Sequence, residues 1–222
     1  MRLAGILLAA GMGTRMGKGM GQKIQGPKQL LSLAGQPVLG QVIQNGLAAG
    51  LDPLILVLGH EAPNIREAVD VSRVHVVVNP GYKTGMASSI RAGLGAVATR
   101  CDGPDCDGLG CDGLGCDGAM FLLGDQPLVD TGVLLQLIRA FTGQGIVIPT
   151  FQGRQGNPVI FSAGFFPQLR QLKGDVGGRV LFDAYPEAIC RVPVETNGVC
   201  FDLDTPEDYQ WLCQQEGRSD GH

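Results

Sequence analysis

Apolar runs alternate with amphipathic stretches along this chain, and the alternation predicts strands and helices in turn. Near-continuous apolar runs mark strands at Leu3–Ala9, Leu54–Gly59, Val74–Val78, Ala119–Gly124, Gly145–Pro149, Pro158–Phe161 and Val199–Asp204. Helical spacing marks Pro37–Ala49, Ala62–Val69, Met86–Thr99, Thr131–Phe141, Gly164–Leu172, Val176–Ala184 and Pro206–Gln215. The first runs have the composition of strands covered on both faces. Their alternation with helices predicts βαβ units, hence an α/β fold with a mixed, mostly parallel sheet flanked by helices. Thr205-Pro206-Glu207-Asp208 carries the marks of a helix start: an N-cap Thr, Pro at the first helical position and an acid at the third. Ligands of such sheets gather beyond the carboxyl ends of the strands, which points to Gly11–Lys28, Asp125 and Asp204.

Composition narrows the class. With 44% hydrophobic and 17% charged residues in 222, the chain is too apolar for intrinsic disorder. Glycine is abundant, 35 residues, which predicts many tight turns and loops. The length suits one large domain or two small ones, and a single domain over 1–216 is expected, with a loop inserted at 101–118 and a flexible tail at 217–222. No apolar run approaches the roughly 20 residues of a membrane span. Met1-Arg2 ahead of Leu3–Ala10 has the outline of a short export leader, yet the same letters serve as a buried first strand entering a loop of Gly11, Gly13 and Gly17. The apolar stretch is at the short end of the ~7–15 residues of a leader, so the strand reading and a cytoplasmic location are preferred.

Charge is unevenly placed. Asp102, Asp105, Asp107, Asp112 and Asp117 all fall within 101–118, and without them the net charge of −4 rises to near neutrality. From Met1 to Leu51 there is no acid, while Arg2, Arg15, Lys18, Lys23 and Lys28 are all basic. Arg2 alone reads as surface charge; bases clustered in a glycine loop suit an anionic ligand such as phosphate. Four of the seven cysteines, Cys101, Cys106, Cys111 and Cys116, recur every fifth residue in a Cys-Asp-Gly repeat. Four thiolates could bind zinc or an iron–sulfur cluster, but tight Cys-x2-Cys pairs are missing. Asp-Gly is turn chemistry, and an exposed expanded loop is the preferred reading. Cys190, Cys200 and Cys213 read as ordinary reduced residues.

The glycine loop, Leu7-Leu8-Ala9-Ala10-Gly11-Met12-Gly13-Thr14-Arg15-Met16-Gly17, follows the first strand. Met16 stands where a dinucleotide fingerprint needs its third glycine, and no acid precedes Asp52. Lys18 follows Gly17, but Met12 and Gly19 break the P-loop pattern. A third solution remains, in which glycines admit a triphosphate and the cations Arg15 and Lys28 grip it. Asp125, at the end of an apolar run, is placed to hold the Mg²⁺ that travels with a triphosphate, or else to cap a turn. Asp202 and Asp204, two apart on a predicted strand, point to one face, where a second Mg²⁺ contact or a substrate amine would neutralise them. Asp204 alternatively adjoins the following helix start. Asp175 reads as an N-cap for the helix after it, and His60 and His75 as structural. No Ser-His-Asp or Cys-His set occurs at an interpretable position.

An ordered set of motifs completes the picture: Leu8-Ala9-Ala10-Gly11, Arg15-Met16-Gly17, Pro27-Lys28-Gln29-Leu30-Leu31 through Gly35-Gln36-Pro37-Val38-Leu39, Asn79-Pro80-Gly81-Tyr82, and Gly85-Met86-Ala87-Ser88-Ser89. It continues through Leu123-Gly124-Asp125-Gln126-Pro127, Gly156-Asn157-Pro158-Val159, Gly174-Asp175-Val176-Gly177-Gly178-Arg179 and Phe201-Asp202-Leu203-Asp204-Thr205-Pro206-Glu207-Asp208. The set resembles nucleotidyltransferases of the molybdenum-cofactor type from Leu7 to Tyr209. Ala10 stands where guanylyl-transferring relatives favour glycine, so the cytidylyl-transferring branch is the nearer likeness.

The resemblance implies a Rossmann-like nucleotidyltransferase that moves CMP from CTP to the terminal phosphate of a molybdopterin-type cofactor, with Mg²⁺ as cofactor. It implies a nucleotide site of Leu8, Ala9, Ala10, Gly11, Gly13, Thr14, Arg15, Lys28, Ser89 and Asp125. Arg15, Lys28 and Asp125 would be the catalytic residues, and Asp125 and Asp204 the metal ligands. Ser89 would face the base, although it reads equally as plain helix surface, and Asn157 and Asp202 would meet the second substrate. The client molybdoenzyme or its maturation chaperone is a further expected partner; nucleic acid and membrane are not. Three departures stand out. Met16–Pro27 is longer than usual, Asn157 replaces a common histidine, and the Cys-Asp-Gly repeat has no counterpart. The same chemistry with GTP or a sugar phosphate, and a non-catalytic maturation partner that binds cofactor or metal through the repeat, are the alternatives.

Overall fold

The structure, a computed structural model, describes residues 1–11, 26–101 and 115–219. Its elements in chain order are β1 (Leu3–Ala9), β2 (Ser32–Leu33), β3 (Gln36–Pro37), α1 (Val38–Ala48), β4 (Leu54–Leu58), α2 (Ala62–Ala68), β5 (His75–Val78), α3 (Met86–Cys101) and β6 (Gly118–Leu123). They continue with α4 (Thr131–Ala140), β7 (Ile146–Phe151), β8 (Arg154–Gln155), β9 (Val159–Ser162), α5 (Phe166–Gln171), α6 (Val180–Ala184), β10 (Ile189–Pro193) and α7 (Pro206–Ser219). Among the described residues the main sheet has the order β10-β7-β9-β6-β1-β4-β5, with β8 pairing β7, and β2 and β3 form a separate hairpin. The β1–β4, β4–β5, β1–β6 and β7–β10 pairs are parallel, whereas β9 runs antiparallel to both neighbours. The expected mixed, mostly parallel sheet is therefore present, flanked by helices.

β1 lies between β4 and β6, so the chain winds to one side of it and then to the other. That reversal opens a crevice at the carboxyl ends of β1 and β6, where Leu8 pairs with Leu123. The period of two along β1 divides the core. Leu3, Leu7 and Ala9 join one buried cluster with Leu39 and Val42 of α1 and Leu134 of α4. Ala4 and Ile6 join another with Ile90 and Leu94 of α3 and Phe166 of α5. Each fully buried Leu or Ile contributes about 1.5–3 kcal/mol of apolar transfer, which is why a strand with no polar position sits at the centre.

Two expectations about elements are corrected. Val199–Asp204 is not a strand. Asn197–Cys200 forms a 3-10 turn started by Thr196, whose Oγ1 accepts from Gly198 N at 3.0 Å. In the segment's backbone bonds, Val199 O instead accepts from Asn157 N (2.8 Å) and Leu203 N donates to Asp125 O (2.9 Å). Conversely, β10 escapes the sequence pattern because it is an edge strand whose Cys190, Arg191 and Pro193 are exposed. The Thr205 start is as expected. Asp208 N donates to Thr205 Oγ1 at 3.2 Å and Thr205 N to Asp208 Oδ2 at 2.7 Å, a reciprocal capping box. α7 runs on to Ser219, into the segment read as a tail.

Most of the Cys-Asp-Gly repeat lies outside the described residues. Its last cysteine does not, and it corrects the reading of an exposed loop at that end: Cys116 is buried in the cluster on the α3 side of the sheet. Beside it, Asp117 accepts from Arg2 N and so fixes the start of β6 against the start of β1.

Candidate active site

A cavity of about 590 Å³ opens at the carboxyl ends of β1 and β6. Its lining includes Leu8, Ala9, Ala10 and Gly11 from the end of β1, Lys28 and Gln29 from the next turn, and Asp125, Asp202 and Asp204. Tyr82–Met86 and Ser89 close it from α3 and the turn before it. Sequence reasoning named most of this set, and the fold brings it together. Gly13, Thr14 and Arg15 lie outside the described residues, as do Lys18 and Lys23.

Lys28 sits in a 3-10 turn, Lys28–Leu30, preceded by extended Pro27. It is 7% exposed, and its Nζ lies 2.5 Å from Asp125 Oδ2 and 2.6 Å from Asp204 Oδ1. Burial disfavours the ammonium, but the charges of and hydrogen bonds to Asp125 and Asp204 outweigh it and hold its pKa above the ordinary value. Asp125 follows Gly124, whose N–H bonds Leu8 O at 3.0 Å and so ties the loop to β1. Asp202 accepts from Gln126 Nε2 at 2.7 Å. Desolvation and the Asp125 charge push its carboxyl above the usual carboxylate range, with the Gln126 bond opposing.

Asp202 and Asp204 face the cavity as expected, but not by strand alternation. Leu203 between them is fully buried in a small cluster with Leu33, Val38 and Leu212, and this anchor turns its two neighbours outward. Tyr209 on α7 reinforces it by donating to Ser32 O at 2.7 Å.

The start of α3 forms the other wall. Asp175 caps this helix and not the one after it, accepting from Met86 N at 3.1 Å across 89 residues of chain. Gly85 between them has φ +108°, and a Cβ there would lie 2.4 Å from the Gly174 carbonyl. Asn79 is buried, accepts from Gly81 N at 2.9 Å, and donates from Nδ2 to Ser88 Oγ (2.8 Å) and Ser89 Oγ (3.1 Å). Ser89 is thus a buried, oriented hydroxyl and not plain helix surface. Asn157, by contrast, is not among the cavity residues. It lies at a cis peptide before Pro158, with its N–H on Val199 O.

A buried cation between two carboxylates thus lines the cavity at the switch point of the α/β sheet. Comparison with known proteins gives the family. The model of the MobA-like NTP transferase domain matches residues 5–189. The chain belongs to this family. Solved structures of Rv0371c from Mycobacterium tuberculosis resemble it at 30% identity and TM-score 0.79, covering 96% of this chain and 97% of that one. A manganese complex of the same protein gives TM-score 0.74.

Relatives of MobA-like nucleotidyltransferases carry diverse names. Nicotine blue oxidoreductase of Paenarthrobacter nicotinovorans is 25% identical over 92% of this chain and 93% of its own. Molybdenum cofactor cytidylyltransferase of Escherichia coli K12 is 24% identical over 92% of each. Within the nucleotidyltransferase site, sequence reasoning missed three supporting residues. Asn79, Gln126 and the α3-capping role of Asp175 all lay inside recognised motifs, but their partners are distant in sequence or in another element.

Proposed function

We propose that this nucleotidyltransferase transfers CMP from CTP to the terminal phosphate of a molybdopterin-type cofactor, releasing pyrophosphate. The observation that carries the reading is the Lys28–Asp125–Asp204 cluster in the cavity beyond the end of β1. Ala10 at the end of β1 and the similarity to a molybdenum cofactor cytidylyltransferase support the cytidylyl choice.

The residues present fit a divalent cation. Carboxylate oxygens of Asp125 and Asp204 already converge on one positive charge, and hard ions such as Mg²⁺ or Mn²⁺ take oxygen donors. Asp125 and Asp204 would hold the ion, which when bound supplies neutralisation of phosphate charge. Lys28 then turns its N–H groups from the carboxylates to phosphate oxygens, joined by Arg15, whose planar fork can hold two of them. Ser89 orients the nucleoside. With these groups in place, an oxygen of the acceptor phosphate attacks the α-phosphorus in line. The bond from that phosphorus to the β-bridging oxygen breaks, and pyrophosphate leaves with the electron pair. Positioning and charge stabilisation supply the catalysis.

Pyrophosphate release measured with each nucleoside triphosphate, molybdopterin cofactor and Mg²⁺ or Mn²⁺ tests the reading. CTP is expected to be preferred, with turnover abolished by EDTA and by Asp125→Ala. Turnover that survives EDTA would sink the metal assignment, and release from no triphosphate would sink the transferase reading in favour of chemistry like that named for the oxidoreductase relative.

A further inference from the structure

Gln29 stands in the Lys28–Leu30 turn, is 3% exposed and lines the cavity. Its Oε1 is buried and has no hydrogen-bond partner among the described residues. Buried polar atoms in native proteins are nearly always paired, and one without a partner requires an explanation. Its polar neighbours in the cavity do not share this state. Lys28 binds Asp125 and Asp204, Asp202 binds Gln126, and Ser89 binds Asn79.

We infer that Gln29 Oε1 is a reading group for the nucleoside, accepting a hydrogen bond from a base N–H or a ribose O–H. This rests on the proposed nucleotide-transfer function and adds a specificity residue to it. The chemistry selects the ligand moiety. Ionised phosphates carry no donor, so the triphosphate cannot satisfy a carbonyl oxygen. The nucleoside can, through its exocyclic amine or sugar hydroxyls, and it is covalently joined to the phosphates that the adjacent Lys28 serves. A protein that keeps a buried acceptor unpaired until substrate arrives gives up stability for recognition, a trade expected at functional sites.

The experiment uses the full chain and Gln29→Met, with ligand-free thermal melting and calorimetric binding of Mg–CTP and Mg–pyrophosphate. Gln29→Met should melt at or above the wild-type temperature, because an unpaired buried carbonyl is removed. It should bind CTP about three- to tenfold more weakly and pyrophosphate equally well. Equal loss for pyrophosphate would place the amide on phosphate or metal and overturn the inference. So would unchanged CTP affinity, or lowered melting with unchanged affinity. Wild-type protein that binds no nucleotide would overturn the proposed function together with this inference. CTP bound alike by wild type and variant would overturn this inference alone.

A ligand series on the wild type stands independently of the variant's folding. 2′-Deoxy-CTP and an analogue with a dimethylated base amine each delete donors. One of them should lose the same factor on wild type, and little on Gln29→Met. If both bind wild type as CTP does, the inference fails.

Discussion

Lys28 Nζ lies 2.5 Å from Asp125 Oδ2, and the pair joins the turn after the glycine loop to the carboxyl end of β6. With Asp204 on its other side, the ammonium stands between the two carboxylates proposed to hold a divalent ion. Lys28→Met should therefore destabilise the ligand-free protein, by about 2 kcal/mol, because two partly buried carboxylates lose their counter-charge. Chemical denaturation at neutral pH measures this. Added Mg²⁺ or Mn²⁺ should stabilise the variant more than wild type, while turnover is lost. A variant as stable as wild type and indifferent to metal would break the argument.

The same pair sets an alkaline limit. Native Lys28 has a pKa raised above 10.5, so it binds its proton more tightly folded than unfolded. Its contribution is complete below the unfolded value and disappears as pH rises through the native one. The stability gap between wild type and Lys28→Met should narrow once pH passes 10.5. A gap that stays constant through the alkaline range would contradict it.

Asp202 carries the opposite cost. Its native pKa is raised above 3.8, so folded protein holds the proton more tightly and stability falls as pH climbs from 3.8 through the native value. Asp202→Asn keeps an acceptor for Gln126 Nε2 and removes the like charge beside Asp125. Thermal melting at neutral pH should show the variant at least as stable as wild type, with a shallower decline from acid. Marked destabilisation at neutral pH would refute this account of the carboxylate.

Gly85→Ala probes the wall of the cavity. A Cβ there would meet the Gly174 carbonyl at 2.4 Å, at a φ of +108° that side chains rarely adopt. The expected loss is about 1–3 kcal/mol or more, with a raised KM for nucleotide because the Asp175–Met86 cap must shift. Wild-type melting and kinetics would show that the junction yields.

The phosphate grip is tested at Arg15. A lysine keeps the charge and loses the planar fork, and charge developing on the leaving pyrophosphate makes the loss larger in turnover than in binding. Arg15→Lys should lower kcat at least about tenfold, in the manner of a lost transition-state donor. Lys23→Ala should be nearly silent. Steady-state kinetics that show full turnover for Arg15→Lys, or equal losses for Lys23→Ala and Lys28→Ala, would overturn the grip.

By itself the sequence determined the central elements and the list of site residues. β1, β4 and β6 are legible because strands covered on both faces must be apolar throughout; Asp125 stands out as a charge at the end of such a run, and Lys28 and Asp204 by the motifs around them. Local chemistry was legible too, as in the Thr205–Asp208 capping box, whose partners are three residues apart. Only the tertiary structure decided what depends on distant partners. β10 is an edge strand recognised by its pairing with β7, not by its letters. Asp202 and Asp204 face the cavity because Leu203 is buried against α7 and the β2–β3 hairpin, not because a strand alternates. Asp175 caps a helix 89 residues away, since the N–H groups at a helix start donate to any carboxylate that packing delivers. The same holds at Gln29. Its residue type is plain in the motif, but an unpaired buried carbonyl is a property of tertiary surroundings, and no run of neighbouring letters encodes it.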